Sequence, residues 1–254
     1  MRTDTSLWCW GRDANGQVGD GLPIANKLSP LQVSSGWAMA STGGLHTCGV
    51  RTDATLWCWG DNGSYQLGLG DQVDRSAPVQ VGSDTDWREV HAGRDHTCAL
   101  RTDRSLWCWG TDVFGQVGNG AGGSLLERTP VPVAAGTTWK NLAVGSDHSC
   151  ARRSDDTLWC WGAGFSGRLG NGTTNNQGVP TQVGTLAGWQ NVTAGTQHTC
   201  GIRTGQSLWC WGENANGQLG DNTTVDQLTP AAVFGGGRWS MVDAGGAHTL
   251  GVDL

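Results

Sequence analysis

The pentapeptide Leu-Trp-Cys-Trp-Gly occurs five times, at residues 7–11, 56–60, 106–110, 158–162 and 208–212. No other feature constrains the fold as much. From one first tryptophan to the next (Trp8, Trp57, Trp107, Trp159, Trp209) the period is 49, 50, 52 and 50 residues, within the range of solenoids, propellers and arrays. The repeat runs through the whole chain, so residues 1–254 are expected to form a single domain.

Residues 36–85 show the unit most clearly. His46-Thr47-Cys48-Gly49-Val50 and Leu56-Trp57-Cys58-Trp59 flank the turn signal Arg51-Thr52-Asp53-Ala54-Thr55, which predicts a hairpin. A Gly- and Asn-rich loop, Gly60 to Gly68, follows, then a short outer strand at Ala77-Pro78-Val79-Gln80-Val81 and a last strand near Trp87-Arg88-Glu89-Val90. Four short strands per unit, none able to bury both faces alone, describe a β-propeller blade. The expected fold is all-β: a five-bladed propeller with four antiparallel strands per blade. The chain starts at Arg2-Thr3-Asp4, inside the hairpin turn, and stops at His248-Thr249-Leu250-Gly251-Val252, just before that turn. One blade is therefore expected to be completed by residues 1–20 and 240–254, the C-terminal strand pairing with Leu7-Trp8-Cys9-Trp10 to close the ring and remove its exposed edges. The competing reading is a segment of a longer ring.

The 42 glycines and 15 tryptophans fit a turn-rich β fold. A net charge of −6 with no basic stripe argues against nucleic acid as a partner. No apolar run is long enough for a membrane span, and Met1-Arg2-Thr3-Asp4 lacks a signal-type apolar region. Either the protein stays inside the cell or its export signal lies outside this sequence.

Gly93 to Thr97, Leu208 to Gly212 and Asn214 to Gly220 carry Gly-x-x-His-Thr, Leu-Trp-Cys-Trp-Gly and Asn-x-x-Gly-Gln-Leu-Gly. In these motifs the chain resembles the regulator of chromosome condensation repeat family, in a bacterial type rich in Cys and Trp. The resemblance spans essentially the full length and implies a β-propeller. The family usually has seven blades, so five is a departure.

Nine cysteines fall into two registers, Cys48, Cys98, Cys150 and Cys200 in one and Cys9, Cys58, Cys108, Cys160 and Cys210 in the other, always ten residues apart. In a hairpin with an odd-length turn these pairs face each other at disulfide distance. Bridges 48–58, 98–108, 150–160 and 200–210 are expected, with Cys9 a free thiol because its partner position holds Leu250. Reduced thiols and a metal site are the alternatives; a zinc site wants four ligands where each blade offers two cysteines and one histidine. Disulfides imply an oxidising compartment, hence a secreted or extracellular protein.

His46, His96, His148, His198 and His248 recur once per repeat. They read as turn anchors bonded to the backbone, not as a metal ring. The tryptophans all hold repeat-equivalent positions, which argues for packing. The family includes a plant UV-B photoreceptor that uses clustered tryptophans, but here cystines would sit among the rings and no Arg-rich interface accompanies them.

Positions that differ between near-identical copies are not dictated by the fold. The loop after each Leu-Trp-Cys-Trp holds Tyr65, Phe114 and Phe165, the only Tyr and two of the three Phe. Equivalent loops share one rim, so these aromatics, with Asn15, Asn216, Asp13, Asp61, Asp112 and Glu213, are the partner-binding candidates. The alternative is that each aromatic fills space in its own blade. No nucleophile elbow, phosphate loop or isolated carboxylate pair is present. No catalytic residue, metal or cofactor is therefore expected. The leading expectation is a monomeric, non-enzymatic, exported module that binds a protein, in line with the family's secreted bacterial β-lactamase inhibitor, which engages its target through aromatic loop residues. The founding nuclear activity of the family, nucleotide exchange on a small GTPase with chromatin binding, fits this acidic chain less well. A multivalent carbohydrate-binding lectin and a structural module of a larger surface protein are the other readings.

Overall fold

A computed structural model describes residues 4–22, 25–121 and 125–254. The chain divides into two compact units, residues 1–112 with 124–132 and residues 113–123 with 133–254. In the first unit β1 (Leu7–Gly11) and β2 (Lys27–Ser34) form a two-stranded antiparallel sheet. β3 (Trp37–Thr42), β4 (His46–Arg51), β5 (Leu56–Gly60) and β6 (Arg75–Gln80) form a four-stranded meander, and β7 (Trp87–Ala92), β8 (His96–Arg101), β9 (Leu106–Thr111) and β10 (Leu126–Val133) form another. In the second unit β11 (Trp139–Val144), β12 (His148–Arg153), β13 (Leu158–Gly162) and β14 (Gln177–Gln182) make one such sheet. β15 (Trp189–Ala194), β16 (His198–Arg203), β17 (Leu208–Gly212) and β18 (Gln227–Ala232) make the next, and β19 (Trp239–Ala244) with β20 (Thr249–Asp253) make a pair.

The central hairpin of each sheet is set by a local turn. Asp53 Oδ1 accepts from Thr55 N at 3.1 Å and from Thr55 Oγ1 at 2.6 Å, which steers Ala54 into φ 62°. Thr55 Oγ1 then takes the Trp57 indole N–H at 2.8 Å. Asp4, Asp103 and Asp155 build the same relay to Trp8, Trp107 and Trp159. With this register Cys48 lies opposite Cys58, and disulfides join Cys48–Cys58, Cys98–Cys108, Cys150–Cys160 and Cys200–Cys210. Cys9 is a free, half-buried thiol.

The core is passed from repeat to repeat. In four of the five Leu-Trp-Cys-Trp-Gly strands the second tryptophan enters a slot made by the preceding repeat, where its indole donates to a backbone carbonyl. Trp59 donates to Gln17 O at 3.1 Å, Trp109 to Gln66 O at 2.9 Å, Trp161 to Gln116 O at 2.9 Å and Trp211 to Arg168 O at 3.0 Å. All four rings are fully buried. The slot floor must be glycine: at Gly68 a Cβ would stand 2.8 Å from the Trp109 indole nitrogen, and φ is +71°. Each ring also meets the first-strand tryptophan of its repeat, as Trp59 meets Trp37 at 5.4 Å. The first tryptophan of the pentapeptide faces outward under an arginine; Arg51 lies 4.2 Å from the Trp57 centroid and 5.0 Å from Trp37.

Three of the five repeat histidines tie repeats together through side chains, where the turn reading expects bonds to the backbone. His46 Nε2 is 2.8 Å from Thr97 Oγ1, His148 Nε2 is 2.8 Å from Thr199 Oγ1 and His198 Nε2 is 2.9 Å from Thr249 Oγ1. Since Thr97 donates its own hydroxyl to Gln66 O, the histidine is the donor. Burial pushes His46 down to about 4 and His96 down to about 3.

The fold departs from five complete blades. Four sheets have four strands, while β1 pairs only with β2 and β20 only with β19 among the described residues. Trp10 and Leu250 are 61% and 59% exposed, whereas their counterparts in the complete sheets are buried. Arg2 and Thr3, assigned to the terminal turn from the sequence, lie outside the described residues.

Candidate functional site

The loop that leaves each third strand begins at a glycine of positive φ, as at Gly60 (+103°), where a Cβ would meet Leu45 O at 2.6 Å. Two positions later an Asp or Asn turns inward and holds the loop. Asn62 Oδ1 accepts from Leu67 N at 3.1 Å, Asn214 Oδ1 from Leu219 N at 3.0 Å, and Asp13 Oδ1 from Val18 N at 3.0 Å. Asp13 also pairs with Lys27 at 3.4 Å. Asp13 and Asp112 are thus buried inside their loops, which corrects their assignment to the outer rim. The acceptor must be short to reach a backbone N–H five residues on, which favours Asp or Asn. One loop has Gly164 at this place and is braced by an arginine instead.

Asn15 and Asp61 meet: the Asn15 amide donates to Asp61 Oδ1 at 3.1 Å and to Asp74 Oδ2 at 3.3 Å, and Gln66 donates to Asp61 Oδ2. Burial, together with the Asp74 charge, raises the Asp61 carboxyl above its usual range. Glu213 accepts from Gln218 at 3.3 Å, and Asn216 is exposed with its N–H bonded to Gln218 Oε1 at 2.9 Å. Asp61 and Glu213 thus accept from glutamines of their own loops, while the Asn15 side chain reaches the loop of the next repeat.

The aromatics differ. Phe114 and Phe165 stack edge to face at 5.4 Å and 85°; Phe165 is 47% exposed, and Val113, next to Phe114 in the chain, is exposed. Tyr65, at φ 60°, is half-buried with the Arg128 guanidinium 5.3 Å from its ring centroid. Two contributors were not singled out from sequence. Arg128 comes from an outer strand whose register the repeat does not reveal. Arg168 replaces the glutamine of the other repeats, a visible departure. Its guanidinium is buried, bonds Phe165 O at 3.0 Å and Gln197 Oε1 at 2.6 Å, and lies 5.8 Å from the Phe165 centroid. It therefore fixes the short 3-10 turn Phe165–Gly167 that presents the ring. Among the described residues no group of three or more His, Cys, Asp and Glu is placed to hold a metal.

The regulator of chromosome condensation (RCC1) repeat matches residues 53–100, 155–202 and 207–252, and a second form of the same repeat matches 87–116, 139–168 and 189–218. Among solved structures, human WBSCR16 is similar at 20% identity and a TM-score of 0.83, over 95% of this chain and 65% of that one. Prp20p from Saccharomyces cerevisiae matches at 20% identity and 0.86 over 99% of this chain and 66% of its own. Yeast RCC1 (Prp20) in its Kap60 complex matches at 19% identity and 0.87, over 99% of this chain and 63% of that one. The chain thus spans under two thirds of the length of these structures, and the likeness establishes the propeller-type fold. On the repeats it carries along most of its length, the chain belongs to the regulator of chromosome condensation (RCC1) repeat family.

Proposed function

We propose that the chain is a non-enzymatic protein-binding module, acting as one propeller domain and exported to an oxidising compartment, with the partner contacting the rim loops. The observation that carries this reading is the Phe114–Phe165 pair. Two large rings, one of them 47% exposed, pack edge to face on loops held from within by buried Asp112 and Arg168. Exposed paired aromatics on a rigid base match the anchors that dominate protein interfaces. Prp20p has binding properties toward Gsp1p and histones, and yeast RCC1 (Prp20) binds Kap60; this supports a binding role for the repeat. The four disulfides support export. Against the lectin reading, Trp57, Trp107, Trp159 and Trp209 already lie under arginines. Affinity capture with wild type and with the Phe114→Ala/Phe165→Ala variant, on secreted material from the native source, tests the reading. A protein held by wild type and lost by the folded variant is expected; equal capture by both would sink the rim assignment.

A further inference from the structure

In three of the four-stranded sheets a five-residue loop leads from a valine to the first-strand tryptophan, at residues 82–86, 134–138 and 184–188. An arginine of the second strand covers two indoles beside each loop. Arg101 lies 4.5 Å from the Trp87 centroid and 4.4 Å from Trp107, Arg153 6.0 Å from Trp139 and 4.7 Å from Trp159, and Arg203 5.7 Å from both Trp189 and Trp209. A guanidinium stacked by its face keeps its N–H edge for acceptors. Arg101 spends that edge on acids of its loop, with Nη2 2.5 Å from Asp84 Oδ2 and Nη1 3.5 Å from Asp86 Oδ2. Arg203 donates to Ala187 O at 2.8 and 3.2 Å.

The loop beside Arg153 has lost both acids. Gly136 stands at the place of Asp84 and Thr138 at the place of Asp86. Among the described residues Arg153 forms no ion pair. The acids next to it in sequence are engaged elsewhere: Asp155 accepts from Thr157, and Asp156 pairs with Lys140 and Arg152. A cavity of about 290 Å³ opens here, lined by Ala134, Thr137, Trp139, Arg153, Trp159 and Val179 among others, all of the second unit. Arg153 is the one charged side chain among its lining residues. A Cβ at Gly136 would meet nothing within 4 Å, so the room that Asp84 fills in the other loop is open. The buried Trp139 indole N–H has no partner among the described residues, as is also true of Trp87, whereas Trp37 and Trp189 donate to Ser34 Oγ at 2.9 Å and Leu186 O at 3.1 Å.

We propose that this cavity binds a small organic carboxylate. Its carboxylate sits on Arg153 as Asp84 sits on Arg101, and its apolar body lies against Ala134, Trp159 and Val179. The protein's own occupant of the equivalent place is a carboxylate, and a planar acid matches the guanidinium edge. A mostly apolar cavity with a single fixed charge is the usual form of a small-ligand site. The site uses neither Phe114 nor Phe165, so it stands apart from the protein-binding reading.

The test is an NMR titration of the ¹⁵N-labelled full chain with 3-phenylpropionate, and with its uncharged amide as the control. The acid is expected to shift the Trp139 and Trp159 indole signals in a saturable way, and the amide to bind about tenfold more weakly or worse, because it cannot form the charge-assisted pair. Arg153→Gln removes the anchor. Thr138→Asp, at an exposed position, returns an acid to the place of Asp86 and fills the edge from within. Both variants should lose about tenfold or more in affinity for the acid while keeping the backbone spectrum of the folded chain. The absence of shifts up to about 10 mM acid, a loose bound for a ligand of this size, would overturn the proposal. So would equal binding of acid and amide, or unchanged affinity in either variant.

Discussion

Asn62 and Phe165 sit one position apart in equivalent loops, yet physical chemistry gives them opposite tasks. Asn62 is fully buried and satisfies Leu67 N and Asp71 O. Truncating it strands both groups without solvent, so Asn62→Ala should cost about 1–3 kcal/mol in urea unfolding. Phe165 is half-exposed, and Phe165→Ala should change stability by less than about 1 kcal/mol while weakening partner binding. Equal losses in the two variants would contradict the division of labour. The rim aromatics were legible as variable positions, because Tyr65, Phe114 and Phe165 break a near-constant loop. That Asp13 and Asp112 turn inward was not. Residue type alone does not separate an exposed acid from one that accepts a backbone N–H, and only the bond from Val18 N to Asp13 decides it.

The strand and hairpin are the elements most fully encoded. The ten-residue spacing of the paired cysteines specifies the register that the sheets adopt. Removing one staple with Cys98→Ser/Cys108→Ser should lower stability by about 2–3 kcal/mol, the value for a short closed loop; an unchanged unfolding midpoint would show that the turn alone sets the hairpin. The buried histidines carry a pH dependence. Because His46 and His96 fall from an ordinary 6.5 to about 4 and about 3, the unfolded chain binds the extra protons below pH 6.5. Their contribution is thus present above pH 6.5 and fades as pH drops toward 4 and 3, by about 1.4 kcal/mol per pH unit for each ring. Urea midpoints at pH 7 and pH 4.5 check this, and equal midpoints would contradict it. The ties themselves were hidden from sequence, since each joins residues about one repeat apart, as His46 does with Thr97, and nothing in local spacing marks the partner.

At the scale of the whole molecule, the period announced the propeller-type sheets but not the state of the chain's two ends. Complementary halves at residues 1–20 and 240–254 suggested closure, and the structure leaves β1 and β20 as separate edges. Strand order follows from a repeat, whereas pairing across some 240 residues depends on a balance of edge bonding against chain entropy that no motif reports. The cystines predict that denatured, unreduced protein takes up one alkylating group per chain, at Cys9. In the folded protein that thiol reacts slowly, because burial raises its pKa. More than one group on protein from its native compartment would remove the argument for an oxidising location. The central claim, that a rigid stapled scaffold binds a protein through Phe114 and Phe165, is tested most directly by titrating the captured partner against wild type and Phe114→Ala/Phe165→Ala. Loss of paired anchors worth about 2 kcal/mol or more predicts at least a tenfold weaker dissociation constant at an unchanged melting temperature. An affinity that stays the same would contradict it.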